Sequence, residues 1–298
     1  MPDTSRMIPG RAHPQTLWPV KMSITKRTQA IVSSGFYRLG ARAIGKSIGR
    51  SHHNFIEPLD PEITYLHVTH PKAASQWVQS ILQNLYQNNV VKNLPAAGSV
   101  RGGNVEAGKF YTSLYLTREE VQALGAGQFR SFFVMRDLRD SLVSLYFSLS
   151  KTHAVTDEFV ERGRGVLAGL SKEDGLQMLI EQNAFNFVRI QSSWLADPSR
   201  CFRFEDLVTD PVSGFTRIFC NSLELEIHPD RLNAVCEKFS FERMSGGRRQ
   251  GHEDTGSHLR SGKPGNWRDH FTPKLIARFK ELHGDHLIAC GYESDADW

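Results

Sequence analysis

Apolar and polar positions alternate with a period of two from Tyr65 to about Thr69, the signature of a strand, and from Ser75 to about Asn88 the apolar residues recur at helical spacing. The five residues between them, His70, Pro71, Lys72, Ala73 and Ala74, make a short turn. A strand that feeds a small-residue turn and then a helix gathers free backbone N–H groups and the positive end of a helix dipole at one point, here with a lysine beside them. That corner predicts an anion site, most naturally one for phosphate. The same order recurs downstream. Residues 130–135 are a short apolar run of the kind buried in a parallel sheet, residues 136–140 are mostly charged, and residues 141–150 return to a helical pattern.

Further strands are predicted over 109–116 and 200–204. Thr117 and Glu120 form a capping box that opens a short helix, which Gly125 and Gly127 end. Longer helices are predicted over 173–195, 212–223, 230–239 and 273–290. Residues 98–108 read as a glycine-rich loop, and 151–171 as an irregular cover containing Gly163, Gly165 and Gly169. Residues 245–256 are too polar and glycine-rich for a regular element, and a loop of that length points to ordering by a ligand. Strands alternating with helices predict an α/β domain with a central, mainly parallel sheet whose ligands sit at the carboxyl ends of the strands.

At 298 residues, 40% hydrophobic and 23% charged, the chain has material for one domain and an appendage. The domain is expected over 61–298 and a basic extension over 1–60. Within residues 1–50 nine Lys or Arg stand against one acid, Asp3, a net of +8, while the rest of the chain holds 27 basic and 31 acidic side chains. Pro2, Pro9, Pro14 and Pro19 keep the start extended. Residues 23–49 read as an amphipathic helix interrupted by Gly35, Gly40, Gly45 and Gly49, with Ile24, Ile31, Phe36, Leu39, Ile44 and Ile48 as its apolar set. Such an arm suits an acidic membrane surface or the body of its own domain, and the pattern does not choose between them. No apolar run reaches the roughly 18 to 20 residues of a membrane span, and the N-terminus lacks a secretory core. Cys201, Cys220, Cys236 and Cys290 have neither CxxC pairing nor close histidine spacing, so they read as thiols of a reducing compartment, with no metal site. The expectation is a cytoplasmic protein, peripheral at a membrane if the arm binds one, with no nucleic-acid partner and a homodimer as a candidate assembly.

Four separated segments together resemble the cytosolic-type sulfotransferases, which move a sulfuryl group from 3'-phosphoadenosine-5'-phosphosulfate to an acceptor hydroxyl or amine and release 3'-phosphoadenosine-5'-phosphate. Pro71 to Trp77 is similar to their PKxGTxW loop for the 5'-phosphosulfate, and Arg136 with Ser144 to their 3'-phosphate motif. Phe204 to Leu207 is similar to their (Y/F)ED(L/M) segment, and Arg260 to Trp267 to their RKGxxGDW segment. Each segment falls in the strand, turn and helix context that its motif demands. The resemblance implies a P-loop-NTPase-like three-layer domain, a metal-independent reaction, and a small-molecule, glycan or lipid acceptor. It implies that Lys72, Ala73, Ala74, Ser75 and Gln76 bind the 5' side, with Lys72 stabilising the bridging oxygen as the S–O bond breaks. It places Arg136, Ser144, Arg260, Ser261 and Gly262 on the 3'-phosphate, and Trp77 and Phe241 on the adenine. Without the resemblance, Trp77 reads equally as core, Arg136 as a partner of Asp140 or Glu205, and Asp137 and Asp140 as helix caps.

The chain departs from that pattern at three places. Ala74 replaces the loop glycine and Gln76 a threonine, so the turn must avoid a positive φ at residue 74 or bear its strain. Ser261 stands where the family has lysine, with Lys263, Arg248 or Arg249 as substitutes. The KTH segment that carries the family's catalytic histidine reads here as residues 110–115, without a histidine. Candidates for the base are His70, Glu106 and His153. Two other functions compete: a nucleotide-binding or membrane-associated module that lost its base, and a P-loop kinase, which the absence of GxxxxGK[ST] disfavours.

Overall fold

The computed structural model describes residues 54–92, 98, 100–125, 127–152 and 158–298. The basic extension with its amphipathic helix lies outside the described residues, and so does His153. The elements in order are β1 (Ile63–Thr69), α1 (Ser75–Tyr86), β2 (Val90–Val91), β3 (Phe110–Leu114), α2 (Arg118–Gln122), β4 (Gln128–Met135), α3 (Leu138–Phe147), α4 (Glu158–Ala168), α5 (Lys172–Gln182), α6 (Ala184–Trp194), β5 (Cys201–Arg203), α7 (Phe204–Thr209), α8 (Pro211–Arg217), α9 (Pro229–Lys238), α10 (Phe241–Met244) and α11 (Pro273–Ala289).

The five strands form one sheet in the order β2-β3-β1-β4-β5, and every pairing is parallel. All seven residues of β1 are buried, as a central strand covered on both faces requires. Alternation along the strands sends Tyr65, Phe132 and Val134 to one face, where they pack with Val78 and Ile81 of α1, Phe215 of α8 and Val235 of α9. It sends Leu66, Val68, Phe133 and Met135 to the other, against Ile190 and Trp194 of α6. A further core, built on Leu142, Leu176, Leu179, Phe271 and Phe279, joins α3, α5 and α11. The architecture is the three-layer α/β arrangement expected. None of the helices among the described residues is long and apolar enough to cross a membrane.

The expected elements appear with three changes. The predicted irregular cover over 151–171 contains helix α4, in which Gly163 lies beside the Leu149 side chain. The single helix expected over 173–195 is two, divided at Asn183, whose N–H closes α5 on Leu179 while its carbonyl accepts from Asn186. The strand expected to run to Phe204 stops at Arg203, and Phe204 opens α7. The capping box at Thr117 and Glu120 is present, with both reciprocal hydrogen bonds formed.

Candidate active site

The turn after β1 and the turn after β4 lie side by side, because β1 and β4 are adjacent and parallel and both end at the same edge of the sheet. The first turn is strained. Lys72 and Ala74 adopt φ of 69° and 62°, in the left-handed region, so Ala74 keeps the backbone that a glycine would favour and bears about 1 to 2 kcal/mol for it. Ala74 supplies no side-chain cap to α1, which leaves the amides and positive dipole of that N-terminus for a ligand. The second turn places Arg136 beside the first: its Nη1 donates to the Lys72 carbonyl at 3.1 Å and its guanidinium stacks 4.5 Å over the Phe204 ring.

These turns form one wall of a cavity of about 610 Å3. Among the described residues the walls carry four cations, Lys72, Arg101, Arg136 and Arg260, and no carboxylate. Lys72 donates from Nζ to Ser148 Oγ at 3.1 Å, and its pKa falls to about 8 through burial first and then repulsion from Arg136 and Arg260. Burial also lowers Arg260 below the ordinary arginine value. Arg260 is bonded to Glu253 and Asn266, and lies 3.2 Å from His270 Nε2. Even so, the Nε atoms of Arg136 and Arg260 and the Ser261 hydroxyl are buried without hydrogen-bond partners. Orphaned donors in a cluster of mutually repelling cations are costly unless an anion completes them.

The structure brings most of the predicted residues together on this cavity: Lys72, Ala74, Ser75, Gln76, Trp77, Arg136, Ser144, Phe241, Arg260, Ser261 and Gly262. Ala73 is fully buried and off the wall. Trp77 serves both readings, since its Nε1 donates to the Phe239 carbonyl at 2.9 Å and its edge meets Phe215, while the residue also lines the cavity. Gly262, at φ 65°, lies so close beneath the Phe241 ring that a Cβ there would collide with it. Asp137 caps α3, as expected, whereas Asp140 does not cap it: it pairs with Arg136, 3.8 Å from Nη2, and accepts the amides of Gly265 and Trp267 at 2.7 and 2.8 Å, tying the 260–267 segment to α3. Glu205 accepts the Asp137 amide at 3.0 Å and the Tyr292 hydroxyl at 3.1 Å, and burial raises it to about 7.

Two of the three candidate bases do not reach the cavity. Glu106 is exposed on the loop preceding β3, where its amide donates to the Tyr111 hydroxyl and its carbonyl accepts from Thr64. That is the amino edge of a parallel sheet, opposite the edge that holds Lys72 and Arg136. His70 is fully buried behind the turn. Its Nδ1 donates to the Pro71 carbonyl at 2.9 Å, and its Nε2 accepts from the Arg136 amide at 3.1 Å and from Gln191 Nε2 at 2.8 Å. Gln191 also donates to the Arg136 carbonyl at 2.7 Å and accepts from His286 Nε2 at 2.6 Å. The bonding pattern fixes His70 as a neutral tautomer, and burial lowers its pKa to about 3. Its role is to lock the two turns together.

Sequence reasoning missed Ser148, Tyr115 and Gln191. Ser148 lies four residues beyond Ser144 along the chain, so helical periodicity could have found it. Tyr115 follows Ser113 at the end of the segment that lacks the family's histidine, and Ser113 there adopts φ 62° on the cavity wall. Gln191 left no local signal, because its partners are more than 50 residues away in sequence.

The sulfotransferase domain family matches residues 127–291. Among solved structures, mouse sulfotransferase SULT7A1 complexed with PAP is 15% identical, covers 76% of this chain and 84% of its own, and superposes with a TM-score of 0.55. Retinol dehydratase in a complex with retinol and PAP is 14% identical over 78% of this chain and 82% of its own, with a TM-score of 0.48. No curated protein matches the sequence.

Proposed function

The chain belongs to the sulfotransferase domain family, and on that premise we propose that it transfers the sulfuryl group of 3'-phosphoadenosine-5'-phosphosulfate to a hydroxyl or amine of a small-molecule, glycan or lipid acceptor. The observation that carries this reading is a cavity wall that, among the described residues, holds four cations and three orphaned buried donors with no carboxylate facing the cavity, Glu253 and Asp140 pairing with Arg260 and Arg136 from outside it. A donor with phosphate at both ends of a nucleoside supplies the anions such a wall lacks. Lys72 and the α1 amides bind the 5' side, where the lysine stabilises charge on the oxygen left behind as sulfur departs. Arg136, Ser144, Arg260, Ser261 and the Gly262 backbone hold the 3'-phosphate, the guanidinium forks making paired contacts. Trp77 and Phe241 enclose the base. PAP in the mouse sulfotransferase complex, whose fold this chain shares, agrees with the assignment. Residues 1–50, with their net charge of +8, suit either an acidic membrane surface or the body of their own domain.

Calorimetric titration with 3'-phosphoadenosine-5'-phosphate tests the site. Arg136→Ala should weaken binding by at least tenfold, the loss of a charge-assisted contact. Lys72→Ala should abolish transfer. Wild-type affinity in both variants would show that the ligand sits elsewhere.

A further inference from the structure

Two cavities meet beside the turn that carries Lys72. The second, of about 510 Å3, lies between the segment around Val100, α2 and α6, walled by Val100, Leu116, Ala123, Leu124 and Ile190, with Glu120 and Arg189 paired at its side. Pro71, Arg101, Tyr115, Asn186 and Phe187 line both cavities. Each is large enough for a small organic molecule. A two-substrate displacement needs the attacking and leaving oxygens on opposite sides of the transferred group. With the nucleotide in the first cavity and the acceptor entering through the second, transfer takes place at their junction.

Tyr115 stands at that junction. It is the first residue beyond β3 and 39% exposed, and it shares the wall of the first cavity with Ser75, the first residue of α1. Tyr115 and Arg101 are, among the described residues, the only titratable side chains on both walls. Desolvation by the surrounding walls raises the phenol above its ordinary value, so it holds its proton and cannot serve as a stored base. It can pass a proton along.

We propose that Tyr115 is a catalytic residue whose oxygen accepts the hydrogen bond of the acceptor hydroxyl arriving from the second cavity and aims that hydroxyl's lone pair at the sulfur. The inference rests on the sulfotransferase reading above. The acceptor oxygen forms the new bond to sulfur, and the bond from sulfur to the bridging oxygen breaks with its electron pair left on the 5'-phosphate. The acceptor's proton moves to Tyr115 as the tyrosine's own proton passes to Ser75 and the serine's to a 5'-phosphate oxygen. Tyr115 and Ser75 end neutral, and no other reactant is needed.

The experiment compares wild type with Tyr115→Phe, Tyr115→His and Ala123→Trp. It measures transfer from a radiolabelled sulfuryl donor to the best acceptor of a phenol, alcohol, amine, glycan and lipid panel, together with calorimetric binding of 3'-phosphoadenosine-5'-phosphate. Tyr115→Phe should lower kcat about a hundredfold with nucleotide affinity held within about twofold, the loss of proton-transfer assistance. Tyr115→His, which keeps a ring able to accept and pass a proton, should recover part of the rate. Ala123→Trp, which fills the second cavity from an exposed position, should raise the acceptor KM about tenfold and leave nucleotide affinity unchanged. Wild-type kcat in Tyr115→Phe, or nucleotide affinity falling in step with the rate, would overturn the role of Tyr115, and an unchanged KM in Ala123→Trp would overturn the placement of the acceptor. A wild-type protein that transfers to no member of the panel would overturn the sulfotransferase reading itself, and this inference with it.

Discussion

Lys72 should take up a proton when an anionic nucleotide binds beside it. Burial and two neighbouring guanidinium groups hold its pKa at about 8, well below the ordinary lysine value of 10.5. At pH 9 about nine-tenths of the unliganded protein therefore has a neutral lysine there. Phosphates placed against Nζ cancel the repulsion from Arg136 and Arg260 and favour the charged form. If the ligand restores the ordinary value, the change is worth about 3 kcal/mol at 1.36 kcal/mol per pH unit. Binding at pH 9 should then be accompanied by uptake of roughly 0.9 proton per ligand, falling to about 0.1 at pH 7 as Lys72 becomes charged beforehand. Titration calorimetry with 3'-phosphoadenosine-5'-phosphate in pairs of buffers that differ in ionisation enthalpy reads the proton count directly. In Lys72→Met the pH 9 uptake should vanish. An uptake near zero in wild type at pH 9, or an equal uptake in Lys72→Met, would refute the placement of the anion against this lysine.

Three further outcomes follow from the same geometry. Ala74→Gly relieves the left-handed strain of about 1 to 2 kcal/mol, partly offset by the freer unfolded chain, so a denaturant midpoint should rise by an amount equivalent to roughly 0.5 to 1 kcal/mol. Gln191→Met leaves His70 and His286 without their shared partner inside the fold, so unfolding free energy should fall by about 1 to 3 kcal/mol and nucleotide affinity should drop with it, since the two turns lose their tie. Glu205 has a folded-state pKa of about 7, raised from 4.5, so the folded chain keeps a proton that the unfolded chain releases; that stability is fully present below about pH 4.5 and lost as pH rises through 7. Melting temperatures of Glu205→Gln should decline less over that window than those of wild type.

The sheet and its two strand-turn-helix corners were legible because they are local. The alternation in β1, the apolar run of β4 and the capping box at Thr117 each depend on neighbours within a few residues. Most of the residues that line the first cavity were legible for the same reason, as each turn carries its own side chains to the shared edge of a parallel sheet. The bases were not. Glu106 precedes β3 and so belongs to the amino edge of the parallel sheet, opposite Lys72 and Arg136. His70 is next to Lys72, yet burial and the bonds to Arg136 and Gln191 turn its ring away from the cavity.

Sulfuryl transfer is tested most directly by incubation of the protein with radiolabelled 3'-phosphoadenosine-5'-phosphosulfate and a panel of phenols, alcohols, amines, glycans and lipids, without added metal. The prediction is label on at least one acceptor with stoichiometric release of 3'-phosphoadenosine-5'-phosphate, and none with Lys72→Ala. Tight binding of the nucleotide with no transfer to any acceptor would contradict it and leave a binding module with a sulfotransferase fold.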